Sequence, residues 1–110
     1  MLLYLKDGNT YVGGSGLHSI DWTVPKFEIG YWCRKQFQGR GFMTEAVLAI
    51  TQFAIETLSA KRIVSLPDAR NKPSRAVAER AGYKLEGVMA NERIAPDGTL
   101  CNTCIYAMTP

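Results

Sequence analysis

The sequence contains no apolar run that approaches the roughly 20 residues a membrane-crossing helix needs. Its opening Met-Leu-Leu-Tyr-Leu is followed at once by Lys6-Asp7-Gly8-Asn9, so it is too short for the core of a signal peptide. It has no internal repeat, linker or low-complexity stretch. Its 110 residues are 46% hydrophobic and 21% charged, which is typical of an ordinary globular protein. We therefore expect a single domain over residues 1–110, no membrane association and a cytoplasmic location.

Metal-binding residues are scarce, with three cysteines and one histidine, His18. Cys101 and Cys104 have the spacing of a metal or redox motif, but they lie in a predicted strand, where residues three apart point to opposite faces. There is no second cysteine pair. We therefore expect free thiols in a reducing compartment and no metal site.

Charge of one sign is not concentrated anywhere in the chain. The net charge is +3, and the thirteen Lys and Arg residues are scattered. A nucleic-acid surface needs clustered basic residues with aromatic residues among them, so no nucleic-acid partner is expected.

The apolar periodicity predicts a mixed α/β domain. Strands are predicted at residues 2–5, 11–17, 27–33, 62–66, 84–90 and 99–108, and helices at 42–59 and 73–81. The first helix is indicated by apolar residues at helical spacing, namely Met43, Ala46, Val47, Ile50, Phe53, Ala54 and Leu58. Asp7-Gly8 predicts a hairpin turn, Pro96-Asp97-Gly98 predicts another, and Gly82 is expected to cap the second helix.

The segment Gln36-Phe37-Gln38-Gly39-Arg40-Gly41 follows a predicted strand and leads directly into the first helix. The first N–H groups of a helix lack internal partners and carry the positive end of its dipole, so a glycine-containing turn there can bind a phosphate. A plain loop with glycines chosen for turn geometry explains the same residues. The P-loop and dinucleotide-binding motifs do not fit, because Gly-Lys-Ser/Thr is absent and Thr44 stands where a third glycine would be.

Together with Glu28-Ile29-Gly30-Tyr31-Trp32, the loop resembles motif A of the GCN5-related N-acetyltransferases (GNAT). The run from Asp68 to Tyr83, with Asn71-x-x-Ser74 and Gly82-Tyr83, resembles motif B. These motifs, followed by Glu86-Gly87, are most similar to the ribosomal-protein N-acetyltransferase (RimJ/RimL-like) branch. The resemblance implies an acyl-CoA N-acyltransferase fold, which is a mostly antiparallel mixed sheet flanked by helices.

The resemblance also implies where acetyl-CoA binds. Its pantetheine arm would pair like an extra strand with the splayed strand at Tyr31, Trp32 and Cys33, and one of Tyr31 and Trp32 would pack into the core. Its pyrophosphate would lie on the loop and first helical turn, formed by Gln38, Gly39, Arg40, Gly41, Phe42, Met43 and Thr44.

Asn71 matches the asparagine that hydrogen-bonds the pantetheine amides, and capping of the second helix explains it equally well. Ser74 matches a serine near the thioester sulfur that assists the departing thiolate, with a helix cap or a solvent-facing hydroxyl as the alternative. Where many relatives carry a tyrosine general acid, this chain has Ala78.

The transfer needs a neutral amine, so a carboxylate that removes a proton is expected. Glu28 is the first candidate because it occupies the strand position that carries the base in some family members. Glu92 is the second, although the aligned position holds Arg93. Each is equally explained as a solvated charge. A backbone N–H near Tyr31 or Trp32 would stabilise the oxyanion.

The family fold normally begins with a strand and two helices that shape the acceptor groove, and this sequence begins at the second strand. A mis-assigned start, a minimal member and a partner subunit that completes the site are three explanations. The strand at Met1 to Leu5 would then be an exposed apolar edge, so we expect a homodimer, with strand exchange as one form.

The expected function is transfer of an acetyl group from acetyl-CoA to a primary amine, either a protein N-terminus or a small molecule. The alternative is a CoA-binding or structural GNAT-like module without turnover. The sequence does not specify the acceptor.

Overall fold

A computed structural model describes residues 2–4, 11–33 and 41–110, with side chains described for residues 13–32 and 41–110. The elements in chain order are β1 (Leu2–Tyr4), β2 (Tyr11–Asp21), β3 (Lys26–Cys33), α1 (Phe42–Thr57), β4 (Arg62–Ser65), α2 (Lys72–Arg80), β5 (Lys84–Ile94) and β6 (Leu100–Met108). Every predicted element is present, with β2 and β5 four residues longer at their ends than predicted. Neither described helix combines the length and apolar character needed to span a membrane.

The strands form one mixed sheet in the order β1-β2-β3-β4-β6-β5. All neighbouring strands are antiparallel except β3 and β4, which are parallel and are connected through α1. The predicted mostly antiparallel mixed sheet is therefore confirmed. Among the described strands β1 lies at one edge, as expected, while Met1 and Leu5 and the predicted Asp7-Gly8 turn lie outside the described residues.

The core lies on one face of the sheet. Strand residues that share this face by register, such as Phe27, Ile63 and Tyr106, are at most 2% exposed, and residues of both helices join the same cluster. Burial of this apolar surface attaches α1 and α2 to the sheet. The helix that this spacing predicts is confirmed; Met43, Ala46 and Val47 are buried, whereas Phe53 is 51% exposed. Ala54 lies in the core, and Phe53 lies about 100° around the helix from it.

Helix α2 is bounded as the sequence predicts. Asn71 is its N-cap, Pro73 lies in its first turn, and Gly82 has a φ of 89° just after the Ala81 C-cap. This left-handed conformation is favourable for glycine and ends the helix before β5.

The two C-terminal strands form a hairpin with an irregular edge. Ala95 and Gly98 close its turn, where the predicted Pro96-Asp97-Gly98 lies. In β5 the pairing shifts between Met89 and Arg93, so three residues of β5 lie opposite Asn102 alone. Asn91 has a φ of 52°, and its N–H donates to Asn102 Oδ1 at 3.0 Å. This bulge carries β5 past its predicted end at Ala90.

Candidate active site

The parallel pairing between β3 and β4 is short. It begins at Lys26 and Arg62 and ends at Glu28 and Val64. Beyond this point β3 continues to Cys33, which pairs with Gly13 of β2, while β4 stays paired with β6 up to Ser65, which lies opposite Tyr106. In the described part of the chain, β4 pairs with no residue of β3 after Glu28. The pairing therefore ends one residue before β4 does, and we call the region between β3 beyond Glu28 and the end of β4 the cleft.

The Tyr31 side chain crosses this cleft on the helix-covered face. Its hydroxyl donates to the carbonyl oxygen of Ser74 at 2.7 Å and accepts from Ser65 Oγ at 3.1 Å. Burial raises the pKa of the Tyr31 phenol, so the hydroxyl keeps its proton at neutral pH. Trp32, its neighbour in β3, points to the opposite face and is 52% exposed. The prediction that one of this pair packs against the core is confirmed, and the residue is Tyr31.

Asn71 and Ser74 meet at the start of α2. Asn71 Oδ1 accepts from the Ser74 N–H at 3.2 Å, which is the N-cap interaction. The Ser74 backbone is therefore held by Asn71 at its nitrogen and by Tyr31 at its oxygen. Its hydroxyl has no partner within the ranges that the structure describes.

The N-terminus of α1 lies at Gly41, whose φ is 82° and where an added Cβ would meet nothing within 4 Å. The first intrahelical bond runs from the Glu45 N–H to the Gly41 carbonyl, so the Met43 and Thr44 N–H groups precede it. Thr44 Oγ1 is buried and has no hydrogen-bond partner among the described residues. The predicted loop residues Gln38, Gly39 and Arg40 lie outside the described residues.

The two candidate carboxylates lie away from the helices. Glu28 alternates with Phe27 and Ile29 of the core, so it faces the opposite side of the sheet at the last β3–β4 pair, directly opposite His18 of β2. Glu92 lies in the β5 bulge, where Glu92 Oε1 accepts from Thr103 Oγ1 at 3.1 Å.

Arg93 fixes the bulge to the end of β4. Its Nε donates to Thr103 Oγ1 at 3.0 Å, and its Nη2 donates to the Leu66 carbonyl at 2.7 Å. Arg93, not Glu92, thus makes the direct contact with the segment that follows β4.

The structure brings together Tyr31, Asn71 and Ser74 at the cleft, while Glu28 lies at the base of the cleft and Glu92 lies on β5. The side chain of Cys33 lies outside the described set. Sequence reasoning missed Ser65 and Thr103, whose side chains are buried and hydrogen-bonded to Tyr31 and to Glu92. The signal for Ser65 was a lone hydroxyl at the end of the apolar run Ile63-Val64.

Cys101 and Cys104 are free and buried on opposite faces of β6, as their spacing predicts. Across the residues that the structure describes, no group of three or more His, Cys, Asp or Glu side chains could hold a metal ion.

Comparison with known proteins agrees with this geometry. Residues 1–84 match the family described as "Acetyltransferase (GNAT) domain". The chain is 41% identical over 86 residues to a Bacillus subtilis (strain 168) protein named "Putative ribosomal N-acetyltransferase YdaF", a match that covers 78% of this chain and 45% of that protein.

The solved structures that are similar in fold include two acetyltransferases with a bound cosubstrate or product. One is the microcin C7 self-immunity acetyltransferase MccE in complex with acetyl-CoA and AMP, with a TM-score of 0.83 and 32% identity, covering 92% of this chain and 56% of that one. The other is RimL, a ribosomal L7/L12 α-N-protein acetyltransferase in complex with CoA, with a TM-score of 0.84 and 28% identity, again covering 92% and 56%. This chain thus spans about half the length of these relatives. It belongs to the GNAT acetyltransferase family.

Proposed function

We propose that residues 1–110 form a domain of an N-acetyltransferase that binds acetyl-CoA and transfers its acetyl group to a primary amine. The observation that carries this proposal is the end of the β3–β4 pairing at Glu28 and Val64, which leaves β3 beyond Glu28 without a β4 partner, beside the first turn of α2. The complexes of MccE with acetyl-CoA and of RimL with CoA support the same cosubstrate.

The proposed cofactor site follows the cleft. The pantetheine arm lies along β3 at Tyr31, Trp32 and Cys33 and reaches Asn71 and Ser74. The pyrophosphate lies at the α1 N-terminus, on the loop and first-turn residues Gln38, Gly39, Arg40, Gly41, Phe42, Met43 and Thr44. The buried Thr44 hydroxyl, which has no partner among the described residues, supports this placement, because a ligand oxygen would satisfy it.

The proposed reaction is direct attack. The amine nitrogen forms a bond to the thioester carbonyl carbon, the C–S bond breaks, and the thiolate of CoA leaves and takes up a proton. Glu28 is proposed to accept the proton from the amine, directly or through a water, with Glu92 as the second candidate. Ser74 Oγ is proposed to donate a hydrogen bond to the leaving sulfur, and a backbone N–H of β3 near Tyr31 or Trp32 to hold the oxyanion.

The names of the relatives support a class of amine acceptor. YdaF and RimL are named for ribosomal substrates, and RimL for an α-amino group. We propose a protein N-terminus first and a small-molecule amine second. The cosubstrate, acetyl-CoA, is consistent with action in the cytoplasm. Because β1 lies at an edge of the described sheet, we also propose a homodimer, with strand exchange as one form, which light scattering would reveal as twice the 12.2 kDa of one chain.

Calorimetric titration of acetyl-CoA into the 110-residue chain tests the cofactor site. We expect micromolar binding that is lost in Gly41→Asp, which places bulk and a negative charge at the α1 N-terminus. Gly98→Asp is the matched control, because Gly98 also has a positive φ, of 86°, but lies in the β5–β6 turn. Absence of binding by the folded wild-type chain would contradict the proposal for these residues.

An amine-acceptor panel then separates the enzyme from a non-catalytic CoA-binding module. An N-terminal peptide and a polyamine represent the two acceptor classes, and release of free CoA is measured with a thiol reagent. Binding without release of CoA for any acceptor would favour the module.

A further inference from the structure

The Tyr31 hydroxyl makes contacts with two segments that are distant in the sequence. Ser65 ends β4, and Ser74 lies in the first turn of α2, 34 and 43 residues from Tyr31. Both hydrogen bonds lie beyond the last β3–β4 pair. In place of backbone hydrogen bonds between the strands, the Tyr31 hydroxyl therefore connects β3 to the end of β4 and to α2.

Both hydrogen-bonding directions of the hydroxyl are used. It accepts a hydrogen bond from the Oγ of Ser65, a residue that is only 3% exposed. It donates a hydrogen bond to the backbone carbonyl of Ser74, whose position is fixed once α2 is formed. Because the ring also packs against the core, the oxygen is held in place from both ends. A rigid phenol on a strand thus determines how far the first turn of α2 lies from β3.

This distance matters for the proposed reaction. The β3 edge is the proposed partner of the pantetheine and the proposed source of the oxyanion N–H, and Ser74 Oγ is the proposed partner of the sulfur. The carbonyl carbon and the sulfur are bonded to each other, so both groups act on one thioester only if their separation is fixed. Displacement of catalytic groups by about 1 Å can cost about 100-fold in rate.

We infer that Tyr31 is a positioning residue for acetyl transfer, whose hydroxyl holds the first turn of α2 against β3 and so places Ser74 relative to the thioester. This inference rests on the proposed function. Tyr31 acts through Ser74, since its hydroxyl hydrogen is directed at the Ser74 carbonyl oxygen.

The test compares Tyr31→Phe with Tyr83→Phe. Tyr83 is the matched control because its hydroxyl also makes a 2.7 Å hydrogen bond, with Thr51 Oγ1, but this bond connects α1 to the residue that precedes β5 and not β3 to α2. For Tyr31→Phe we expect kcat to fall about tenfold, which corresponds to about 1.4 kcal/mol, while the Kd for CoA changes less than about threefold, since the pyrophosphate site on α1 is untouched. Tyr83→Phe should leave kcat near the wild-type value.

Amide hydrogen exchange supplies a readout that needs no ligand. The N–H groups of Ser74 and Arg75, which are bonded to Asn71, should exchange faster in Tyr31→Phe than in Tyr83→Phe at matched stability. Equal exchange, or an equal loss of kcat in both variants, would overturn the inference by showing a general loss of stability. If the wild-type chain neither binds CoA nor transfers acetyl, the proposed function fails. The exchange comparison would still decide whether the Tyr31 hydroxyl holds α2.

Discussion

Glu28 and Val64 form the last residue pair between β3 and β4. Val64 is 7% exposed, so the Glu28 carboxylate stands beside a buried aliphatic residue at the base of the cleft, on the face that the helices do not cover. A base at this place reaches the cleft from the side opposite Tyr31. The proposed cosubstrate and acceptor would then approach the reacting centre from different faces of the sheet.

Glu28→Gln tests this arrangement. We expect kcat/KM for the amine to fall at least about tenfold, because the amide cannot accept the proton, while the Kd for acetyl-CoA stays within about twofold. Steady-state kinetics and calorimetry measure the two quantities. Glu92→Gln is the comparison, and a larger loss of turnover in that variant would assign the base to Glu92 instead.

Asn71 has two proposed roles that different substitutions separate. Asn71→Ala removes the cap of α2 and should lower the free energy of unfolding by about 1 kcal/mol in urea denaturation. Asn71→Asp keeps a capping oxygen but loses the amide donor, so it should retain stability while weakening CoA binding. If Asn71→Asp binds CoA like the wild type, Asn71 is a cap only.

Thr44 carries a buried hydroxyl that no described protein group satisfies. Thr44→Val should therefore raise the free energy of unfolding without ligand by about 1 kcal/mol, since an unsatisfied buried group is removed, and should weaken CoA binding. Thr51→Val is the control in the same helix, because Thr51 Oγ1 is hydrogen-bonded to Tyr83 and its loss should be destabilising. Destabilisation of equal size in both variants would show that Thr44 has a protein partner.

Stability at alkaline pH should depend on Tyr83. Burial raises the pKa of its phenol to about 12 from an ordinary value of 10. The unfolded chain therefore loses this proton first, and the contribution of Tyr83 to stability, complete below pH 10, should disappear as the pH rises from 10 to 12. Urea denaturation between pH 8 and 11 measures this decline. Tyr83→Phe should make this decline of the free energy of unfolding with pH less steep. If the decline is unchanged in the variant, the Tyr83 phenol titrates normally.

The sequence predicts the elements of this fold well because their signals are local. The apolar spacing of α1, and the Asn71 cap and Gly82 that bound α2, each lie within a few residues of the feature they determine. The exposure of Phe53 could not be predicted in this way, because an apolar residue beside the buried stripe looks the same in the sequence as one within it.

The site is less predictable because its contacts connect distant residues. The meeting of Tyr31, Ser65 and Ser74 depends on the parallel crossover and on where the β3–β4 ladder ends. The end of β5 was missed for a related reason. The bulge at Asn91 interrupts the alternation of side chains, and its N–H is satisfied by the side chain of Asn102, a residue eleven positions away.

The brevity of β4 also affects how the protein folds. Strands β2 and β3 are neighbours in the chain, as are β5 and β6, so each pair can assemble locally. The four residues of β4 join these halves through partners that are distant in the sequence, which is the slow kind of pairing. The cleft therefore exists only once both halves have docked. A ligand bound there would oppose their separation and raise the melting temperature in proportion to the logarithm of its concentration.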